Sequence, residues 1–326
     1  MRAGRLLPVA LLLAVLLLLP LLLPGYLLSR AIEVYLFAVL ALSYDLLIGV
    51  TGIVSFGHAL FFGAGAYTAA ICMKRLGLPL WVALPAVVLV AAGLAALVGA
   101  LSLRVKGHFF AMITLAFAEI GHVVVQKWSE VTGGADGISI KVPAWFVTNA
   151  AGHPDRTHSY YVAVLFLLLA YWVVRRATDS PPGRVWQAIR ENEFRAGALG
   201  FDTTRYKVAA MVVSGIVAAL AGAGYALMVQ QGASPEWLTA DITIQVLLMT
   251  IIGGVGTLQG PMLGAAVVRL LSYWLSGLRS YSHLFDRWPL LFGLIYVAIV
   301  MFLPEGIVGT YRQRLVRILQ RPKPAA

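Results

Sequence analysis

The 326-residue chain is 60% hydrophobic and 12% charged, with a mean hydropathy of +0.85. Soluble domains carry about a quarter charged residues, so this composition excludes one and requires a polytopic membrane protein. The net charge of +11 does not call for nucleic acid, because the basic residues lie in loops between apolar stretches and form no continuous patch.

Taken in chain order, a basic start at Arg2 and Arg5 leads into an apolar run over 6–28. That run is too long for a secretory signal and lacks a small-x-small cleavage site, so it reads as a retained first span. Further spans are expected at 31–50, 53–73, 79–103 and 108–128. A turn-rich extracytoplasmic segment, 129–158, follows them, carrying Asp136, Lys141, Asp155 and Arg156 with Trp145 and Phe146. After a sixth span at 159–176 comes a polar loop at 177–206, then spans at 207–230, 241–252, 261–278 and 288–304 and a basic tail at 305–326. Ten spans make one all-α transmembrane domain over 1–326, with both termini in the cytoplasm. In that topology the inner loops hold about twice as many Lys and Arg residues as the outer ones. The single cysteine, Cys72, rules out a disulfide within the chain and falls in an apolar stretch, where packing is its expected role.

Two segments are rich in glycine. Gly49, Gly52 and Gly57 interrupt one, with Ser55 and His58 beside them; Gly253, Gly254, Gly256 and Gly260 interrupt the other, with Thr257 and Gln259. They echo one another faintly, and neither supports a long unbroken helix. Breaks at membrane depth survive only where freed backbone groups are buried or line a wet cavity, so the pair is a candidate substrate path. The alternative is two tight cytoplasmic turns whose glycines permit close helix contact.

Ionisable residues inside spans are few: Asp45, His58, Glu119, His122, Asp241 and Arg269. Glu119 and His122, three apart, share a helix face and form a candidate local pair. No nucleotide-binding loop, His-Glu-x-x-His or nucleophile elbow is present, so no catalytic residue, bound cofactor or metal site is expected in this chain.

The stretch 181–200 is the most distinctive. Pro181 and Pro182 suit a helix start and Gly200 a left-handed stop. Val185, Trp186, Ile189 and Phe194 fall near one face, and Arg184, Arg190, Glu191 and Arg195 decorate the rest. A polar, helix-patterned cytoplasmic loop of this kind offers itself to a partner.

That stretch resembles the cytoplasmic coupling segment of ABC-importer permeases for branched-chain amino acids, the LivH/LivM family. SYDLLIGVTGIVSFGHALFFGAGAYTAA, GHFFAMITLAFAEI, TGGADGI and TIIGGVGTLQGPMLGA appear in the family's order, and Pro-Glu-Gly at 304–306 is also typical. Length, the leading span and TGGADGI make the chain similar to the LivM-type subunit. The resemblance implies an inner-membrane permease that pairs with a LivH-type companion, two cytoplasmic ATPase subunits that bind ATP and Mg, and an extracytoplasmic solute-binding protein. It also implies that Val185, Trp186, Ile189, Arg190, Glu191, Arg195 and Gly200 couple to an ATPase, with the apolar face buried in its groove. Urea, amide and aromatic-acid subfamilies look similar. A secondary transporter or channel would have no use for the 181–200 helix, and a membrane-embedded enzyme would need clustered polar catalytic groups.

Overall fold

The computed structural model describes residues 16, 18–20, 24–105, 107–141, 156–277, 288–303 and 305–311. The described part is almost wholly helical, with helices α1 (Gly25–Asp45), α2 (His58–Lys74), α3 (Leu80–Ser102), α4 (His108–Lys127) and α5 (Thr157–Asp179). After α6 (Pro181–Ala198) come α7 (Thr203–Tyr225), α8 (Ala240–Gly253), α9 (Gln259–Gly277) and α10 (Trp288–Phe302). α1 runs on through a π turn, Leu46–Thr51, and α7 through another, Ala226–Gln230. With those turns included, α1, α3, α4, α5 and α7 are each long and apolar enough to cross a membrane.

Burial sorts these five into centre and rim. In the apolar stretch of α1 89% of residues are buried and in that of α7 72%, against 28–39% in α3, α4 and α5. The centre is where α1, α2 and α7 meet. Small residues make that contact possible, because lipid supplies no hydrophobic drive and backbones must approach closely to gain dispersion energy. A methyl group on Gly65 would strike the Ala219 carbonyl, and one on Gly222 the Phe62 carbonyl. Phe37, Phe62, Tyr225 and Trp237 fill the space beside the crossing, with ring centroids 5.1–6.4 Å apart.

Several expected boundaries move. Pro24 starts α1 in extended conformation, so Leu27 and Leu28, assigned to the first span, belong to the second; most of that first span lies outside the described residues. The span expected at 53–73 begins as helix only at His58. The segment expected as a loop at 129–158 is ordered over 129–141. Thr132 donates to the carbonyls of Val125 (2.6 Å) and Trp128 (2.7 Å), and β1 (Ile138–Ser139) pairs antiparallel with β2 (Gly232–Ala233). This clip ties the far end of α4 to the end of α7. Asp136 and Lys141 are exposed on it, Arg156 donates to the Met228 carbonyl (2.9 Å), and Trp145, Phe146 and Asp155 lie outside the described residues. The tail beyond 311 also lies outside them.

Candidate functional site

α6 starts where the two prolines place it. Ser180 precedes it in extended conformation and accepts from the Gly183 amide (3.4 Å), while Gly200, at φ 92°, follows its end. The helix is not continuous. Asn192 leaves helical geometry (φ −161°, ψ 100°), and its Oδ1 accepts from the Arg195 amide (2.9 Å), so it caps a second short piece.

This kink decides what the segment shows to a partner. Val185, Trp186 and Ile189 are buried, the first and last of them with Ala196 and Tyr206, and Trp186 donates from Nε1 to the Tyr206 carbonyl (2.8 Å). The expectation that these three fill another protein's groove is therefore corrected: an amphipathic helix satisfies its apolar face on the nearest apolar surface, here the chain's own membrane helices. Phe194 does not join that face. It stands 89% exposed beyond the kink, with Leu199 72% exposed. Glu193, held by Lys207 (2.7 Å) and the Thr203 hydroxyl (3.3 Å), fixes this second piece to the start of α7. Arg184, Glu191 and Arg195 are exposed.

Arg190 makes the contact that joins α6 to the glycine-rich segments. Its Nη1 donates to the carbonyl of Gly49 inside the π turn of α1. Gly49 faces Gly256 closely, and a β-carbon at Gly49 would come within 2.5 Å of the Gly256 nitrogen. The Asp45 carboxylate grips the same turn, accepting from the Gly256 amide (2.6 Å) and the Leu258 amide (3.1 Å). The two segments that echo each other in sequence thus meet in space, at one end of the bundle and directly against α6. A cavity of about 540 Å³ lies there, bounded in part by Gly49, Gln187, Arg190, Glu191 and Thr257.

The second segment is a turn. α8 ends at Gly253, and the Thr257 hydroxyl donates to the Gly254 carbonyl (2.8 Å) while accepting from the Gly260 amide (2.9 Å), so α9 starts capped and returns antiparallel. Gln259 reaches Tyr171 (3.3 Å). The first segment is a genuine break. Gly52 adopts φ 78°, which a side chain would resist, and residues 53–57 carry no helix before α2 begins. Amides freed there find hydroxyls from two other helices: Phe56 donates to Thr114 of α4 (3.0 Å) and Ala59 to Thr243 of α8 (2.9 Å). Ser55 is fully buried and accepts from the Gly57 amide (3.2 Å). His58 is also fully buried, its Nε2 sharing the hydroxyls of Ser43 (3.0 Å) and Ser214 (3.2 Å). Among the described residues no three His, Cys, Asp or Glu side chains gather as metal ligands. Every expected path residue is therefore held by polar contacts within the chain or packed against its backbone.

Residues 26–304 match the family described as the branched-chain amino acid transport system, permease component. The chain belongs to that family. Its curated relatives include the high-affinity branched-chain amino acid transport system permease proteins LivM of Salmonella typhimurium, 31% identical, and of Escherichia coli, 30% identical. Each alignment covers 86% of this chain and 69% of the relative. A probable branched-chain amino acid transport permease protein LivH of Methanocaldococcus jannaschii is 25% identical over 87% of this chain and 92% of its own. No solved structure matches the chain.

Two polar features of this permease differ from the sequence expectation. Glu119 and His122 do not pair: His122 Nδ1 lies 2.9 Å from the Pro235 carbonyl, and Glu119 is exposed on α4. Arg269 has a partner that was not among the expected intramembrane charges, Glu33, about two turns into α1. An acidic residue three positions after Arg30 in an otherwise apolar run was the available signal.

Proposed function

We propose that the chain is the membrane-spanning subunit of an ATP-driven importer that carries branched-chain amino acids across the bacterial inner membrane. The observation that carries this reading is the family match over 26–304, supported by LivM proteins of like sequence that serve such transport. The chain contributes the passage and no ATP chemistry. Two cytoplasmic ATPase subunits, binding ATP and Mg, drive it, a LivH-type permease forms the other half of the passage, and an extracytoplasmic binding protein delivers the solute. In a ten-span arrangement both termini and α6 lie in the cytoplasm, and the clip at 129–141 lies on the opposite side, where it helps receive the binding protein.

Within this scheme α6 is the coupling element. The exposed piece after Asn192, with Phe194 and Leu199, meets the ATPase; exposed aromatic anchors are the residue class that dominates such contacts. The buried piece, through Arg190, passes displacement to Gly49 and, by way of Asp45, to the turn at 254–258. The substrate passes along the glycine-rich segments Gly49–His58 and Gly253–Gln259, where exposed backbone supplies transient polar contacts without a tight site.

Uptake of labelled leucine by liposomes holding all subunits tests the proposal. Transport should require ATP inside the vesicle and the loaded binding protein outside. Uptake that persists without ATP would identify a secondary transporter instead. Calorimetry on the binding protein with leucine, isoleucine, valine and urea separates the amino-acid reading from the urea one.

A further inference from the structure

A second charged cluster lies at the other end of α1 from α6. Arg30 and Gly49 are nineteen residues apart, so about 29 Å of helix separates it from the Arg190 contact. There the Glu33 carboxylate accepts from both Arg30 (3.0 Å) and Arg269. Arg269 is the inner partner: it also donates to Gln245 of α8 (3.1 Å), lies 4.0 Å above the Phe37 ring, and is 20% exposed. Arg30 is the outer partner, 49% exposed, with its guanidinium 4.9 Å from the centre of the Tyr273 ring.

Among the described residues two guanidiniums share one carboxylate, which gives the cluster a net positive charge. Arg30 presents that charge to a cavity of about 330 Å³, which it lines with Tyr273, Trp274, Ser276 and Gly277. Next to the cavity α9 exposes Leu263, Leu270 and Trp274 at spacings of seven and four, which puts them on one outward stripe along the helix. A cation and an indole at the top of an apolar stripe match the arrangement of a phospholipid, with its phosphate at the interface and an acyl chain running down the bilayer.

We propose that this cavity is a phospholipid site, in which Arg30 holds the headgroup phosphate and the Leu270–Leu263 stripe carries an acyl chain. The bound phosphate completes the charge balance that Glu33 alone leaves short.

Native mass spectrometry of the intact, partner-assembled transporter, stripped of lipid and titrated, tests this. The probes are dioleoylphosphatidylglycerol and dioleoylglycerol, which share acyl chains but not the phosphate. Wild type should retain at least one phosphatidylglycerol about fivefold more strongly than Arg30→Gln does, the effect of one basic residue near a membrane surface, with no such difference for dioleoylglycerol. Arg30→Gln leaves Glu33 and Arg269 as a balanced pair, so folding is retained, and Arg30→Lys should keep most of the binding. Equal phosphatidylglycerol retention by wild type and Arg30→Gln would overturn the site. Displacement of that lipid by millimolar inorganic phosphate would reassign it to a free anion and overturn the lipid reading.

Discussion

The guanidinium of Arg190 donates to the backbone carbonyl of Gly49, a bond between a helix outside the apolar spans and the π turn that closes the most buried of them. It is the one polar contact from the α6 piece before Asn192 into the glycine-rich segments among the described residues. Replacing Arg190 by Ala should leave folding and insertion intact, since the side chain is exposed. A hydrogen bond from a charged group contributes about 1.5–3 kcal/mol, so the coupling should weaken by roughly tenfold or more. Uptake per ATP hydrolysed in proteoliposomes measures it; an unchanged ratio would remove Arg190 from the coupling path.

Gly49→Ala should be far more damaging than its size implies. The added methyl meets the Asp45 carboxylate and lies 2.7 Å from the Gly256 α-carbon, so the turn at 254–258 must move away and lose the Asp45 bonds. Overpacking of this kind costs about 1–3 kcal/mol. Gly197→Ala, where a β-carbon meets nothing within 4 Å, is the matched control. Melting of the two variants in detergent should show a clear drop for the first and none for the second.

Ile189→Asp and Phe194→Asp should part company. Ile189 is 4% exposed against the chain's own helices, and burying a carboxylate there without a partner costs several kcal/mol, so that variant should be depleted from the membrane. Phe194 stands in solvent, and its variant should insert normally yet lose co-purifying ATPase. Normal ATPase recovery with Phe194→Asp would place the docking surface elsewhere.

Glu33→Gln leaves Arg30 and Arg269 facing each other without a counter-charge, and breaking a buried pair from one side costs about 3–5 kcal/mol. Adding Arg269→Gln should restore much of that loss. A double variant that melts no higher than Glu33→Gln alone would show that the three charges do not act as a unit.

The parts legible in the sequence were those with a local cause. Hydropathy located most helices to within a few residues, the Pro181-Pro182 start and Gly200 bounded α6, and glycine clusters marked both segments that meet at Gly49 and Gly256. What stayed hidden depends on contacts far apart in the chain. The glycines at 52 and 57 mark the break before His58 but not what holds it, because the hydroxyls that satisfy its amides belong to Thr114 and Thr243. The inward turn of Val185, Trp186 and Ile189 was equally invisible: periodicity shows that a helix has an apolar face, not which surface covers it. Phe194 was misplaced for a local reason, because Asn192 interrupts the helix and was not read as a cap.

The break between α1 and α2 also settles how force can travel through this bundle. A continuous helical rod transmits a push along its axis, but the non-helical residues after Gly52 break the rod, so a displacement applied to α1 by α6 does not run straight on into α2. It passes sideways instead, into α5, α7 and α9, which pack along α1, while two threonine hydroxyls hold the Phe56 and Ala59 amides to α4 and α8. Parting α2 from α7 would open the close-packed backbones at Gly65 and Gly222, whereas the break itself is held to α4 and α8 by the two threonine hydroxyls. The bundle thus has its tightest joint where α2 crosses α7, and a push on α1 reaches the other helices across packed faces, not along one continuous rod.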